Sequence, residues 1–321
     1  MAKYIYEYQK WTNFTWRETD INAIFGEVRN LQGKVVGQMN TLGFATKEEA
    51  TLTTLTLDVL KSSEIEGEKL DYDQVRSSIA RRLGMNIAGL VSANRNVEGV
   101  VEIMLDATQN YQKPLTNKRL FGWHSALFPT GHSGMHKIEV GRYRTGEMQI
   151  VSGALGKERI HYETVPANRV KEEMDKFLEW FNDKSPMDPV LKSAIAHFWF
   201  IIIHPFDDGN GRIARAISDL MLGRADKTTE RYYSMSSQIL IERKKYYEIL
   251  QKVQHSRGDL TDWLEWFLHC LQNSLLATET TLQKILRKTE FWKVHENTIF
   301  NERQRFVLNK MFDGFEGKLK S

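Results

Sequence analysis

The densest chemistry in this sequence lies in the run His204-Pro205-Phe206-Asp207-Asp208-Gly209-Asn210-Gly211-Arg212-Ile213-Ala214-Arg215. His204 is the one group there that can take up a proton near neutral pH. Gly209 and Gly211 permit a tight turn and close approach of the backbone to a ligand. The helix expected to follow offers unpaired N–H groups and a positive dipole end, which together make an anion site. Arg212 and Arg215 fall on one face of that helix, and both guanidiniums can reach anionic oxygens. Asp208 stands just ahead of the turn, where a hard carboxylate suits Mg²⁺ bridging to phosphates. A base, a metal ligand, an anion cradle and two guanidiniums describe a phosphoryl or nucleotidyl transfer site. The plainer alternative is an interhelical loop whose arginines pair with Asp207 and Asp208 at the surface.

Other motifs fail on inspection. Gly209-Asn210-Gly211-Arg212-Ile213-Ala214 fits the G-x-G-x-x-A dinucleotide fingerprint, with Glu230 downstream in the ribose position. That fingerprint requires a strand directly before its first glycine, whereas here His-Pro-Phe-Asp-Asp intervenes and the surroundings are helical. A Walker A loop ending at Gly317-Lys318 fails because Phe312 stands where its first glycine belongs. The single cysteine, Cys270, excludes cysteine metal clusters and an internal disulfide, and suits a reducing compartment. His197, set among Phe198, Trp199 and Phe200, reads as a packed core histidine.

The elements that must position these residues are helices. Six prolines among 321 residues is about 2%, against about 5% on average, and favours long helices. Apolar periodicity predicts helices over 16–39, 94–110, 117–127, 168–181, 189–203, 211–222, 238–254 and 260–287. Thr46 and Glu49 have the spacing of a capping box that opens a helix running to Glu66, with Gly67 as its C-terminal stop. Asp71 or Asp73 caps a short helix through Arg81. Residues 131–166 are rich in glycine, and their alternating pieces at 148–152 and 159–164 predict a β-hairpin. Asn301 caps a helix ending near Phe312, the front of a winged-helix or helix-turn-helix module. The expected fold is therefore all-α, divided into residues 1–92, 93–290 and 291–321.

Composition excludes some function classes. The balance of 44 basic and 41 acidic residues leaves +3, too mild to argue for nucleic acid. The N-terminus lacks the apolar core of a signal peptide, and the longest apolar stretch, Ala194 to Ile203, is interrupted by His197. A membrane span needs about 20 apolar residues. A soluble, cytoplasmic protein without membrane partners is expected.

The run from His204 to Arg215 matches the signature H-x-F-x-D/E-G-N-G-R-x-x-R of the Fic (Fic/DOC) family at every fixed position. The resemblance extends from about Asn94 to about Arg287. It implies a mainly helical core with a β-hairpin flap, and transfer of AMP from ATP to a Ser, Thr or Tyr hydroxyl of a target protein. On that resemblance His204 deprotonates the hydroxyl and Asp208 holds Mg²⁺ on the phosphates. Backbone N–H groups of Gly209, Asn210 and Gly211 form the anion hole, Arg212 supports the β-phosphate and Arg215 the γ-phosphate. Phe206 anchors the loop. The exit strand of the flap, Arg159, Ile160, His161 and Tyr162, aligns the target as an added strand and is counted with the nucleotide-binding positions. Tyr247 and Gln254 border the adenosine. Ser62-Ser63-Glu64-Ile65-Glu66-Gly67 matches the inhibitory motif S/T-x-x-x-E-G/N of self-inhibited members, which makes Ser62 and Glu66 inhibitory positions and implies that Glu66 pairs with Arg215.

The runner-up functions are transfer of another group such as UMP, phosphocholine or phosphate, removal of AMP with Glu66 positioning a water, and a nucleotide-sensing regulator that binds DNA through its C-terminal module. Auto-modification and a homodimer complete the expected partners.

Overall fold

The computed structural model describes residues 3–85, 87, 89–152 and 159–312. The chain opens with α1 (Glu18–Asn40), α2 (Phe44–Ile65), α3 (Tyr72–Arg82), α4 (Arg95–Gln109) and α5 (Asn117–Leu127). Two antiparallel hairpins follow: β1 (His132–Ser133) with β2 (His136–Lys137), and β3 (Gln149–Ser152) with β4 (Arg159–Glu163). Then come α6 (Ala167–Asn182), α7 (Pro189–Ile203), α8 (Asn210–Asp226), α9 (Met235–Ile241), α10 (Arg243–Val253), α11 (Thr261–Val294) and α12 (Glu302–Phe312). The all-α expectation holds, with the hairpin where alternation placed it. In that hairpin Gln149 pairs with Glu163 and Ile150 with Tyr162, and a bulge between Ile150 and Val151 shifts the register.

The core is built around α7, which is apolar on every side and buried on almost every side. Asp188 caps it, its Oδ1 accepting from the Val190 N–H at 2.8 Å, and Pro189 sits in the first turn, where no helical bond is lost. α8 packs along α7, with α6 and α11 against α7 and α4 and α5 against α8. Phe177, Phe181, Phe198, Phe200, Trp263 and Phe267 fill the space between them. α1 lies along α11, and α2 packs against α3 and α9. Tyr4 and Tyr6, from the N-terminal segment, set their rings edge-on to Tyr162. No described helix is long and apolar enough to cross a membrane.

Three local expectations are corrected. The Thr46–Glu49 capping box does not form: α2 begins at Phe44 after Gly43, and no side chain caps it. Glu49 is instead occupied by Arg76 at 3.2 Å and Lys288 at 2.8 Å, contacts that spacing along one helix cannot reveal. The helix expected over 238–254 is divided at Glu242 into α9 and α10, and the Glu242 carboxylate there is held by Trp266 Nε1 of α11 at 3.0 Å and by Gln238. The helix expected over 260–287 runs on to Val294. Asn301 caps α12 as expected, its Oδ1 accepting from the Gln304 N–H at 2.8 Å. The rest of the winged-helix expectation falls on residues 313–321, outside the described residues.

Candidate active site

α7 ends at His204, which takes left-handed backbone angles (φ 52°, ψ 61°). A side chain larger than glycine seldom adopts this conformation, so something must hold it there. His204 Nδ1 lies 3.2 Å from the carbonyl of Ile201. A carbonyl can only accept, so Nδ1 carries the proton and Nε2 keeps its lone pair. Burial pushes the imidazole down to about 4, against the opposing pull of the Ile201 carbonyl. The ring is therefore neutral at physiological pH.

The loop after His204 is held from several sides. Phe206 is fully buried and stacks on His124 of α5, with ring centroids 4.3 Å apart. Asn210 clamps the backbone of Phe206 from both ends, accepting from its N–H at 3.0 Å and donating to its carbonyl at 2.7 Å. The Asn210 side chain is thus structural, and only its main chain remains for a ligand. His124 Nδ1 accepts from the Gly141 N–H at 3.1 Å, so its Nε2–H donates to the Asp208 carbonyl at 3.2 Å. Asp208 accepts from Ser133 Oγ and from the Gly209 N–H. Asp207 accepts from the Glu139 N–H at 2.8 Å. Gly209, at φ 79°, starts α8, and a Cβ there would come within 2.9 Å of Leu127 and Phe128. Both the conformation and the contact demand glycine.

The two arginines do not pair with Asp207 or Asp208. Arg215, 2% exposed, meets Glu66 Oε1 at 2.8 Å and donates to Ser62 Oγ and the Ser62 carbonyl, each at 2.8 Å. Burial would lower its pKa, but Glu66 outweighs burial and the net shift is upward. Arg212 is paired too, with Glu68 at 2.8 Å, and its guanidinium lies over the ring of Phe128. Both carboxylates come from the end of α2. There the Glu68 N–H bonds back to the Ser63 carbonyl and the Gly67 N–H to the Glu64 carbonyl, each at 3.0 Å, with Gly67 at φ 86°. This is a Schellman stop, and its left-handed glycine lets residues on either side of it reach the same helix. A Cβ on Gly211 would lie 2.1 Å from Glu66 Oε1, so the carboxylate rests directly on the first turn of α8.

Beside these groups an open cavity of about 930 Å³ is lined by Glu66, His204, Gly211, Tyr162, Tyr247 and Gln254, among others. Tyr162 is buried, and its hydroxyl donates to the Ile202 carbonyl at 2.9 Å, leaving the ring as what it offers a ligand. Tyr247 is 42% exposed, with the Arg243 guanidinium 5.5 Å from its ring centre. Gln254 ends α10, and its carbonyl accepts from the Ile5 N–H at 2.7 Å. The backbones of Arg159, Ile160 and His161 form β4, while their side chains lie outside the described residues. The structure thus brings His204, Asp208–Arg215, Ser62, Glu66, Tyr162, Tyr247 and Gln254 together. His197 is a core residue, hydrogen-bonded to Ser218 and Tyr246, as its neighbours implied.

Sequence reasoning missed Glu68, Ser133, His124 and Arg144. The only available signal was Glu68, two residues beyond Glu66 across a helix-stopping glycine; the others come from segments that no motif covers.

Residues 114–222 match the Fic/DOC family, and residues 4–85 match a domain of unknown function. The chain is 23% identical over 248 residues to the protein adenylyltransferase Fic of Nematostella vectensis, covering 75% of this chain and 51% of that one. It is 27% identical over 183 residues to the protein adenylyltransferase fic-1 of Caenorhabditis elegans, covering 54% and 32%. The chain spans between about a third and a half of the length of these curated relatives. A Fic family protein from Desulfovibrio desulfuricans shares the fold, with a TM-score of 0.61 at 23% identity over 85% of this chain and 77% of that one. So does a Fic domain containing signaling protein from Bacteroides thetaiotaomicron, at 0.59 and 19% over 80% and 98%. The chain carries a Fic/DOC domain.

Proposed function

We propose that this chain is a protein adenylyltransferase, moving AMP from ATP to a Ser, Thr or Tyr hydroxyl of a protein, itself included, and that the end of α2 inhibits it. The observation that carries this reading is a neutral histidine with a free Nε2 beside two helix-borne arginines, both neutralised by carboxylates from one turn of chain. A surface loop has no need to arrange its arginines so. A site built for polyphosphate does, because unpaired guanidiniums at a helix N-terminus bind anions strongly. The names of the relatives support the same reading.

Nε2 of His204 takes the proton of the target hydroxyl as its oxygen attacks the α-phosphorus. The bond from the α-phosphorus to the bridging oxygen breaks, and pyrophosphate leaves with the electron pair. Main-chain N–H groups at the start of α8, with Arg212 and Arg215, hold the phosphates, and the wall at Tyr247 and Gln254 takes the adenosine. Asp208 fits a magnesium ion shared with phosphates: two hydrogen bonds orient its carboxylate and leave lone pairs for a cation. Among the described residues no cluster of ligands could hold an ion without the nucleotide. Bound there, the ion supplies charge neutralisation to the phosphates.

Inhibition follows from the pairs already formed. With Glu66 on Arg215 and Glu68 on Arg212, an incoming triphosphate meets two carboxylates where it needs two cations. The matches at 4–85 and 114–222 support a division into an inhibitory N-terminal unit (1–92) and a catalytic core (93–290), which leaves 291–321 as a C-terminal segment. The lone, buried Cys270 suits a reducing, cytoplasmic setting.

The test uses ATP labelled at either end, with Mg²⁺ and the Glu66→Gly variant. Label from the α-phosphate should stay on protein and label from the γ-phosphate should not. Retention of the γ-label would make the chemistry phosphoryl transfer and overturn the reading.

A further inference from the structure

An α-helix ends with carbonyls that have no helical partner. At the end of α7 each one finds a side-chain donor. The Ile201 carbonyl takes His204 Nδ1–H, and the Ile202 carbonyl takes the Tyr162 hydroxyl. The Ile203 carbonyl takes Arg144 Nη2 at 3.4 Å, and the His204 carbonyl takes Arg144 Nε at 2.8 Å. The same guanidinium reaches two more carbonyls. Nη1 donates to Gly146 at 2.8 Å and Nη2 to Val165, while the Arg144 N–H donates to the Pro205 carbonyl at 2.9 Å. Gly146 and Val165 lie just outside the two strands of the β3–β4 hairpin, one before it and one after it.

Arg144 is 2% exposed, and among the described residues every hydrogen bond of its guanidinium goes to a main-chain carbonyl. A buried cation without a bonded carboxylate is expensive, and burial lowers its pKa accordingly. An apolar side chain of similar length could fill the space at less cost. What it could not do is bind carbonyls from three segments at once, a task that suits the fixed fork of a guanidinium. The negative end of the α7 dipole adds to the attraction.

We propose that Arg144 is the positioning residue of this site. It holds the left-handed main chain of His204, and so the imidazole, at a set distance from both ends of the β3–β4 hairpin. It touches no reacting atom and acts through His204 and the hairpin. The proposal rests on the transferase reading above, and its test is chosen to separate the two.

The variant to use is Arg144→Lys in the Glu66→Gly background. Lysine keeps a cation at the helix end, so the chain folds, but its single nitrogen cannot span carbonyls on both sides. Nucleotide affinity, measured by calorimetry, should stay within twofold of the parent. The kcat for transfer should fall about 10²-fold, the loss expected when a reacting group is displaced by about 1 Å. A kcat within twofold of the parent, or an equal loss in nucleotide affinity, overturns the proposal. A second arm needs no activity: imidazole nitrogen NMR of the protein without nucleotide reads the tautomer and titration of His204. The charged groups facing that ring are Arg144, Glu66 and Asp208. The parent should show a single neutral tautomer protonated at Nδ1, and Arg144→Lys a mixture. If the parent transfers no label, the transferase reading fails alone. Arg144 is then judged by the resonances, and unchanged His204 signals in Arg144→Lys overturn its role.

Discussion

Two helix ends meet at the cavity, those of α7 and α2, and arginines close both of them differently. At α7 the donors, Arg144 and Tyr162, are buried and have no other partner role that a phosphate could claim. At α2 the Ser62 carbonyl is closed by Arg215, and the Ile65 carbonyl by Arg243 Nε at 2.8 Å. Arg215 also holds Glu66, and by the reading above it serves the nucleotide. The end of α7 is thus fixed whether or not a ligand is present, which suits the base it carries. The end of α2 is closed by a side chain that the ligand also needs. Binding there must compete with folding of the helix end, and such competition is what makes a contact a switch.

The largest effect should come from breaking the fixed end where the chemistry sits. His204→Ala should lower AMP transfer by about 10² to 10⁴-fold, the usual contribution of a general base. Nucleotide binding, measured by calorimetry, should be nearly unchanged, since other groups hold the phosphates. Near-normal transfer by this variant would remove His204 from the mechanism.

Acid should act on the α7 side of the comparison as well. Burial pushes His197 to about 3 and His124 to about 4, below the ordinary value near 6.5. From pH 6.5 down towards 4 the unfolded chain binds protons that the folded chain refuses. Stability should therefore fall as pH drops through that window, by about 1.4 kcal/mol per pH unit for each histidine. Urea melts at pH 7 and pH 5 measure this, and His197→Gln should make the slope shallower by about one histidine's share. A slope unchanged by that substitution would mean His197 titrates normally.

At the switchable end, Glu66→Gly should raise transfer. A hydrogen bond between charged groups is worth about 1.5–3 kcal/mol, so about 10- to 150-fold. The gain should vanish when Arg215→Ala is added, because the freed guanidinium is no longer there to use. Label transfer by the four variants forms a double-mutant cycle, and additivity in it would deny direct coupling.

How much of this was legible in sequence follows the same division. The base, the turn glycines, the arginines and Glu66 sit in short contiguous motifs, where spacing along the chain is spacing in the site. The helices at 117–127 and 189–203 were found to the residue because Asn117, Pro189 and their neighbours carry local start signals. The groups that hold the site in place carry no such signal. Arg144 reaches His204 across 60 positions and His124 reaches Asp208 across 84, and nothing local distinguishes either from a surface residue. The contact at Glu242 was hidden for the same reason, since the Trp266 that holds its carboxylate lies on another helix.

The smallest prediction separates the two carboxylates at the end of α2. Glu68 is more exposed than Glu66, with 36% of its side chain accessible against 31%, and Arg212 has the face of Phe128 as further support. An ion pair this close to solvent is worth only about 0.2–1 kcal/mol, or about 1.4- to 5-fold. Glu68→Ala alone should change little, because Glu66 still covers Arg215 and the first turn of α8. Added to Glu66→Gly, it should raise transfer by that further factor. The increment should shrink between 50 mM and 500 mM salt, where surface pairs are screened, while the larger gain from Glu66→Gly, which frees a buried arginine, should persist. If Glu68→Ala lowers transfer in the Glu66→Gly background, the carboxylate helps to bind the nucleotide complex, and inhibition belongs to Glu66 alone.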